Sequence, residues 1–430
     1  MNNYYISNEK IDLGCYPNYS FAVGDLDGDG RMEFVALTQS GGIMRAFNLE
    51  GGLIFERTLA NAGNWGTAII CAIDVDGDGR DEIIAPNGGG VAAFDAKGRL
   101  AAEYTHTDAK TDDYGMKTPL LAAAKLKPGG AKSIVAAVAG GTVVALDGNL
   151  KEIWKAGGFR NDFGHEMHVA DIDGDGLDEI AFCNLDHING GRGADNSNFG
   201  EFVILDHDGT PLLKKRVDEY YEDTHFDDVA FADFVGDGGC QILFEKGILT
   251  NLRGDVIWDA SHMMDHGQWI AHIKDPSGPG RLMFIAELWG VNRKSMLING
   301  RGDKLWDIKN LAWPGDDTGG LSKIGVEALP TRCHAVRWTP DSRPELFFAQ
   351  QGKTAGSHEC TSTVRFGLNA AFMDFDGNYI GGVPFDDSQI KGYFYNGEVQ
   401  SKVADVDGDG IQEVIFPKQD GRIMIIKKEI

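Results

Sequence analysis

The chain has 430 residues, with 65 acidic against 40 basic side chains and a net charge of −25. That balance excludes a nucleic-acid surface, which needs clustered Lys and Arg. No run of 18 apolar residues is present to span a membrane, and the six cysteines lack paired spacing, which suits a reducing compartment. The start, MNNYYISNEKIDLG, has neither a cationic nor an apolar leader segment. A cytoplasmic monomer is therefore expected, or a secreted protein if a leader has been removed.

In chain order, a β-forming stretch comes first, NYYISNEKIDL. A unit of roughly fifty residues then begins and recurs. The first copy runs YSFAVGD, the acidic segment DLDGDGRMEF from Asp25, EFVALT, and MRAFNLEGGLIFERT. Near-copies of the acidic segment follow: DVDGDGRDEI from Asp74, DIDGDGLDEI from Asp171 and DVDGDGIQEV from Asp405. Short runs of β-formers bounded by Gly and Asp read as strands, so each acidic segment is a hairpin between two of them. Stretches such as VVALDGNLKEIWKAG and FVILDHDGTPLLKKR add a third strand, a turn and a fourth. Four short strands per unit is the pattern of a β-propeller. Weaker copies fit the same register, with Lys125, His272 and Arg337 in place of the first aspartate, and with Asp233 and Asp237 flanking Val235. The count predicts one all-β propeller over 1–430 with eight blades, seven being the alternative. The last unit runs out after three strands, and NYYISNEKIDL supplies its fourth, closing the ring so that no sheet edge is left open.

Each intact hairpin offers carboxylates at positions 1, 3 and 5, a carbonyl at 7, a carboxylate at 9, and glycines for the tight turn. That is an oxygen set for calcium. Ordinary Asp-Gly turns would leave three aspartates unneutralised within five residues. Four structural calcium sites are expected: Asp25, Asp27, Asp29 and Glu33; Asp74, Asp76, Asp78 and Glu82; Asp171, Asp173, Asp175 and Glu179; Asp405, Asp407, Asp409 and Glu413. The Asp233 hairpin is incomplete, and those of Lys125, His272 and Arg337 should not bind. The repeats resemble the calcium repeats of integrin-type (FG-GAP) propellers.

The hairpins join first strand to second, so the loops that enter each first strand open on the opposite face of the ring. Those loops hold Trp65, Tyr114, His165, His168, Tyr221, His225, His266, Arg332 and His334. Longer second-to-third strand connections on that face add His187, Arg192, Trp289, Arg293, Lys353, His358 and Arg365. Polar groups converging on a concave mouth mark the default position for a site.

FGHEMHVADIDGDGLDEI and MDHGQWIAHI, set among calcium blades, resemble the propeller polysaccharide lyases that act on rhamnogalacturonan and ulvan. The resemblance implies β-elimination on a uronate-containing oligosaccharide or polysaccharide. Such an enzyme removes the weakly acidic proton at C5, neutralises the adjacent carboxylate and protonates the leaving O4. His165 and His225 are the expected acid and base, supported by Tyr221, with Arg293 and Arg332 on the carboxylate. His168, His187, Arg192, His266, His334 and His358 line the substrate, and Trp65 or Trp289 packs against sugar rings. The charge of −25 favours short oligosaccharides over a polyuronate. Two alternatives stay open. One is a glycoside hydrolase, with carboxylate pairs Asp162/Glu166 or Asp227/Asp265; the other is a propeller that binds carbohydrate without catalysis. Cys333, His334, His358 and Cys360 have the donor types of a zinc site, against the preferred reading of reduced core cysteines beside a sugar-facing histidine. RGD at 253–255 and 301–303 falls where other blades have a turn, which argues against adhesion.

Overall fold

The computed structural model of the chain describes residues 3–14, 21–37, 42–60, 70–106, 120–138, 141–159, 163–184, 201–216, 219–220, 226, 228–264, 266–289, 295–307, 326–354, 368–385, 401–417 and 421–430. They form eight four-stranded antiparallel sheets arranged as a β-propeller, so the eight-blade count holds and the seven-blade alternative falls. The innermost strands of blades 1 to 8 are Phe21–Gly24, Cys71–Ile73, Leu120–Ala124, Phe163–Ala170, Val229–Ala232, His266–Lys274, Val326–Val336 and Lys402–Ala404. From blade 1 to blade 8, each touches the innermost strand of the next blade.

Burial explains the strand sequences. The middle strands lie between two neighbouring blades and read as unbroken apolar runs, as in Ser133–Val138 and Thr142–Leu146, where every residue is buried. The outermost strands alternate because one face meets water, as in Glu152–Gly157. Eight apolar clusters result, one at each blade-to-blade interface. The core is therefore a set of radial seams.

Closure follows the expected route. Tyr4–Asn8 pairs antiparallel with Ile423–Lys428 as the outermost strand of blade 8. Ile11 and Leu13 enter the seam between blades 8 and 1, and Ile423 N donates to Ile11 O at 2.9 Å. Tyr4 stacks on Phe372 of blade 7 with ring centroids 4.1 Å apart. Its hydroxyl donates to Glu345 Oε2 at 2.8 Å, where Trp338 Nε1 also donates at 2.6 Å and Lys428 Nζ binds the other oxygen. First and last strands are thus clamped onto one carboxylate of the neighbouring blade.

The two RGD triplets occupy outer turns. Gly302 has φ +84° and packs under the Trp258 ring, while Gly254 (φ +80°) accepts the Tyr220 hydroxyl bond at 3.0 Å through its carbonyl. A residue with a Cβ would be strained at either position. Structure accounts for these glycines without a receptor.

Candidate functional site

The acidic hairpins share one geometry. Asp25 Oδ1 and Oδ2 accept from Gly28 N and Gly30 N at 2.8 and 3.0 Å, and Glu33 Oε2 accepts from Leu26 N at 2.9 Å. The same three bonds recur at Asp74 with Glu82, Asp171 with Glu179, and Asp405 with Glu413. Glycine is required at these turns, where φ is +79° at Gly28 and +84° at Gly30. Backbone thus consumes one side of the carboxylates and leaves the rest converging, with ligand oxygens of Asp25, Asp27 and Asp29 within 4.8 Å of one another. Comparable clusters stand at Asp74, Asp171 and Asp405. Burial, with the adjacent aspartates, pushes the carboxyls of Glu33 and Glu179 up to about 7. Glu179 is 2% exposed, and its Oε1 is buried with no hydrogen-bond partner among the described residues. A divalent cation would satisfy that oxygen and offset the crowded charge.

Two hairpins differ. In blade 5, position 9 is Gln241, whose Nε2 donates to Asp237 Oδ1 at 3.0 Å and to Gly239 O at 2.8 Å. In blade 8, Lys427 Nζ lies 2.7 Å from Asp407 Oδ2, 2.7 Å from Asp409 Oδ2 and 2.8 Å from Glu413 Oε1. Neighbouring hairpins are also tied together: Asp81 Oδ2 accepts from Asp25 N at 2.9 Å, and Asp178 Oδ2 from Lys125 N at 2.6 Å. Sequence reasoning missed Asp81 and Asp178, although both stand at position 8, directly before the position-9 glutamate.

Along the innermost strands lies a cavity of about 370 Å³ lined by blades 4 to 7. Its polar groups are His168 of blade 4, Asp228 of blade 5, His272 of blade 6, and Cys333 and His334 of blade 7. His168 Nε2 lies 3.4 Å from Asp228 Oδ1, while Asp228 Oδ2 accepts from Ile270 N of blade 6 at 2.7 Å. The carboxylate is thus held from one side and faces an imidazole on the other. His334 Nε2 sits 2.9 Å from both the carbonyl and the hydroxyl oxygen of Ser401 in blade 8. His272 Nδ1 is buried with no hydrogen-bond partner among the described residues, and burial, then Arg281, depress the imidazole to about 4. It is neutral at physiological pH.

Of the residues expected at this mouth, the structure brings His168 and His334 together. His165, His266, Trp289 and Arg332 lie on described strands, but only their backbone is described. Trp65, His187, Arg192, Tyr221, His225, Arg293 and His358 lie outside the described residues. So do Asp162, Asp227, Asp265 and Cys360, and of Glu166 the backbone alone is described. Cys333 is 4% exposed in the apolar seam between blades 6 and 7, whereas His334 reaches blade 8. Adjacent strand residues point to opposite sides, which favours a core cysteine over a zinc ligand.

Asp228 and His272 were missed as site residues, and the hairpin register places His272 on a first strand and Asp228 directly before one. Ile273 pairs with Leu282 as Ala170 pairs with Glu179, so Lys274, not the expected His272, stands at position 1 of blade 6. Counting back three from position 1 gives Ala22, Cys71, Ala122, His168, Ala230, Ala271, His334 and Lys402 in blades 1 to 8. Blades 1, 2, 3, 5 and 6 have Ala or Cys there, whereas blades 4, 7 and 8 have His, His and Lys. Asp228 lies two residues before Ala230 on the same side of its strand, and His272 lies two residues before Lys274.

Comparison with known proteins agrees with this architecture. Residues 25–85 match the FG-GAP-like repeat. No curated protein matches the chain. Among solved structures, an exotype rhamnogalacturonan lyase, YesX, superposes with a TM-score of 0.62 at 19% identity over 99% of this chain and 76% of its own. A rhamnogalacturonan lyase of Bacillus licheniformis gives 0.59 at 18% identity over 99% of this chain and 75% of its own. Sqt1 of Saccharomyces cerevisiae gives 0.56 at 13% identity, with both chains covered in full. Similarity at these identities is similarity of fold: an eight-bladed propeller carrying FG-GAP-like repeats.

Proposed function

We propose that the protein is a polysaccharide lyase that cleaves a uronate-containing glycan by β-elimination at the mouth lined by blades 4 to 7. The observation that carries this reading is the His168–Asp228 pair in a cavity on the channel. Two propeller structures to which the chain is similar are rhamnogalacturonan lyases, which supports the choice of reaction. A carboxylate beside an imidazole fixes the ring and stabilises its protonated form, which a base needs as it removes the C5 proton. Asp228 does this for His168, and Ile270 N holds Asp228 in place. Neutral His272 can hydrogen-bond the sugar without adding charge. Carboxylate neutralisation is assigned to Arg293 and Arg332, and protonation of O4 to His165 or His225 with Tyr221. The hairpins at Asp25, Asp74 and Asp171 are assigned to structural calcium, which their donor set and the orphaned Glu179 Oε1 fit.

Purified protein should generate the ultraviolet absorbance of an unsaturated uronate from rhamnogalacturonan or ulvan oligosaccharides. Removing a positioned base costs about 10²–10⁴ in rate, so His168→Ala should lose that much kcat and still fold. Failure on a broad uronate panel, or full activity in His168→Ala, would reject the assignment.

A further inference from the structure

We infer that the hairpin of blade 8 carries its own cation: the Lys427 ammonium occupies the place that a metal ion would take among Asp407, Asp409 and Glu413. All three contacts are 2.7 to 2.8 Å, and they reach positions 3, 5 and 9 of the hairpin. The Lys427 side chain is 11% exposed, so the ammonium is held inside the loop.

Strand register explains why a lysine stands here and in no other blade. Val414 pairs with Ile426 as Ile180 pairs with Leu205, which places Lys427 where blade 4 has Asp206. In blades 1 to 7 the residue that opens the outer turn is Asn48, Asp95, Asp147, Asp206, Asn251, Asn299 and Asp374. In six of them its side-chain Oδ1 accepts a backbone N–H four residues ahead, as Asn48 accepts from Gly52 and Asp374 from Asn378; in blade 4 Asp206 Oδ1 accepts from His207 N instead. Blade 8 has no outer turn, because its fourth strand comes from the other end of the chain. The acceptor is therefore dispensable there, and a cationic side chain at that position meets the position-9 glutamate across the strand pair. Blade 5 shows a neutral version of the same device. The Gln241 amide bridges positions 5 and 7 of its hairpin without an ion.

Two consequences follow. The metal count is three, at Asp25, Asp74 and Asp171, although four hairpins carry the full acidic set. The blade that closes the ring also keeps its hairpin braced when metal is scarce. The inference rests on the calcium assignment for the count of three and for the Asp175→Asn comparison; the gain of one equivalent in Lys427→Met over wild type is independent of it.

Bound calcium is measured by equilibrium dialysis on the full chain after chelator stripping, with folding verified by thermal melts. Wild type should bind three equivalents and Lys427→Met four. Asp409→Asn should leave the count at three, whereas Asp175→Asn in blade 4 should reduce it to two. Four equivalents in wild type, no gain in a folded Lys427→Met, or a loss of one in Asp409→Asn would each overturn the inference. A gain of one in Lys427→Met over a wild type that binds none would uphold the lysine and reject calcium in the other blades. Should Lys427→Met not fold, the comparison of Asp409→Asn with Asp175→Asn decides.

Discussion

His272 shows how position decides chemistry for a single residue. The sequence aligns it with the first aspartate of blade 6, as a break in the calcium pattern, whereas the strand pairing puts Lys274 there and His272 two residues earlier. Folded, it borders the cavity at an edge-to-face distance of 5.3 Å from Phe234, and burial holds its pKa at about 4 against an ordinary 6.5. Below pH 6.5 the unfolded chain takes up a proton at this site while the folded chain does not, so stability falls from pH 6.5 to pH 4. That loss amounts to roughly 3 kcal/mol at most. Urea midpoints measured in saturating calcium should therefore fall more steeply over this range for wild type than for His272→Phe. Parallel slopes would assign the acid sensitivity to other groups. His168 illustrates the converse: the sequence shows a histidine entering a first strand, but its partner Asp228 comes from the next blade. Nothing in local spacing pairs them.

The blade is legible in sequence because one periodic rule builds it. Apolar runs of the middle strands, alternating outer strands and glycines at positive φ recur in register, so blade number and closure can be counted from the chain. What a hairpin contains is less legible. DVDGDG reads the same in blades 2 and 8, yet Lys427, eighteen residues beyond Asp409, enters only the second. At this scale two measurements test the account. Chelation should lower the melting temperature, because an ion bound only to the folded chain stabilises it by about 2.7 kcal/mol per site at a hundredfold excess over Kd. An unchanged melt in chelator would remove the assigned calcium from blades 1, 2 and 4. Deleting residues 1–12 should strip Tyr4, Ile6 and Ile11 from their seams and expose the backbone edge of Ile423–Lys428. Loss of buried side chains of this size costs roughly 2–5 kcal/mol each, so the truncated chain should melt well below the full one and self-associate. Equal stability would mean that the pairing of Tyr4 with Lys428 contributes nothing to closure.

Across the whole molecule, charge and site are in tension. A net charge of −25 surrounds a mouth read as binding a uronate. Acidic hairpins lie at the far face, and three calcium ions would cancel six of those charges, leaving about −19 and a repulsive field in solution. Screening shortens that field from a Debye length of about 30 Å at 0.01 M salt to about 8 Å at 0.15 M. A polyuronate meets the field over many charges, whereas a di- or trisaccharide brings one or two and enters the mouth within a single Debye length. Raising salt across this range should therefore increase kcat/KM on a polymeric substrate several-fold and leave a short oligosaccharide nearly unchanged. The rise should come through KM, because repulsion acts before the substrate is bound. A fall with salt on both substrates would instead indicate a basic lining at the mouth that outweighs the global charge, and would place Arg293 and Arg332 in long-range capture of the polymer as well as in local neutralisation.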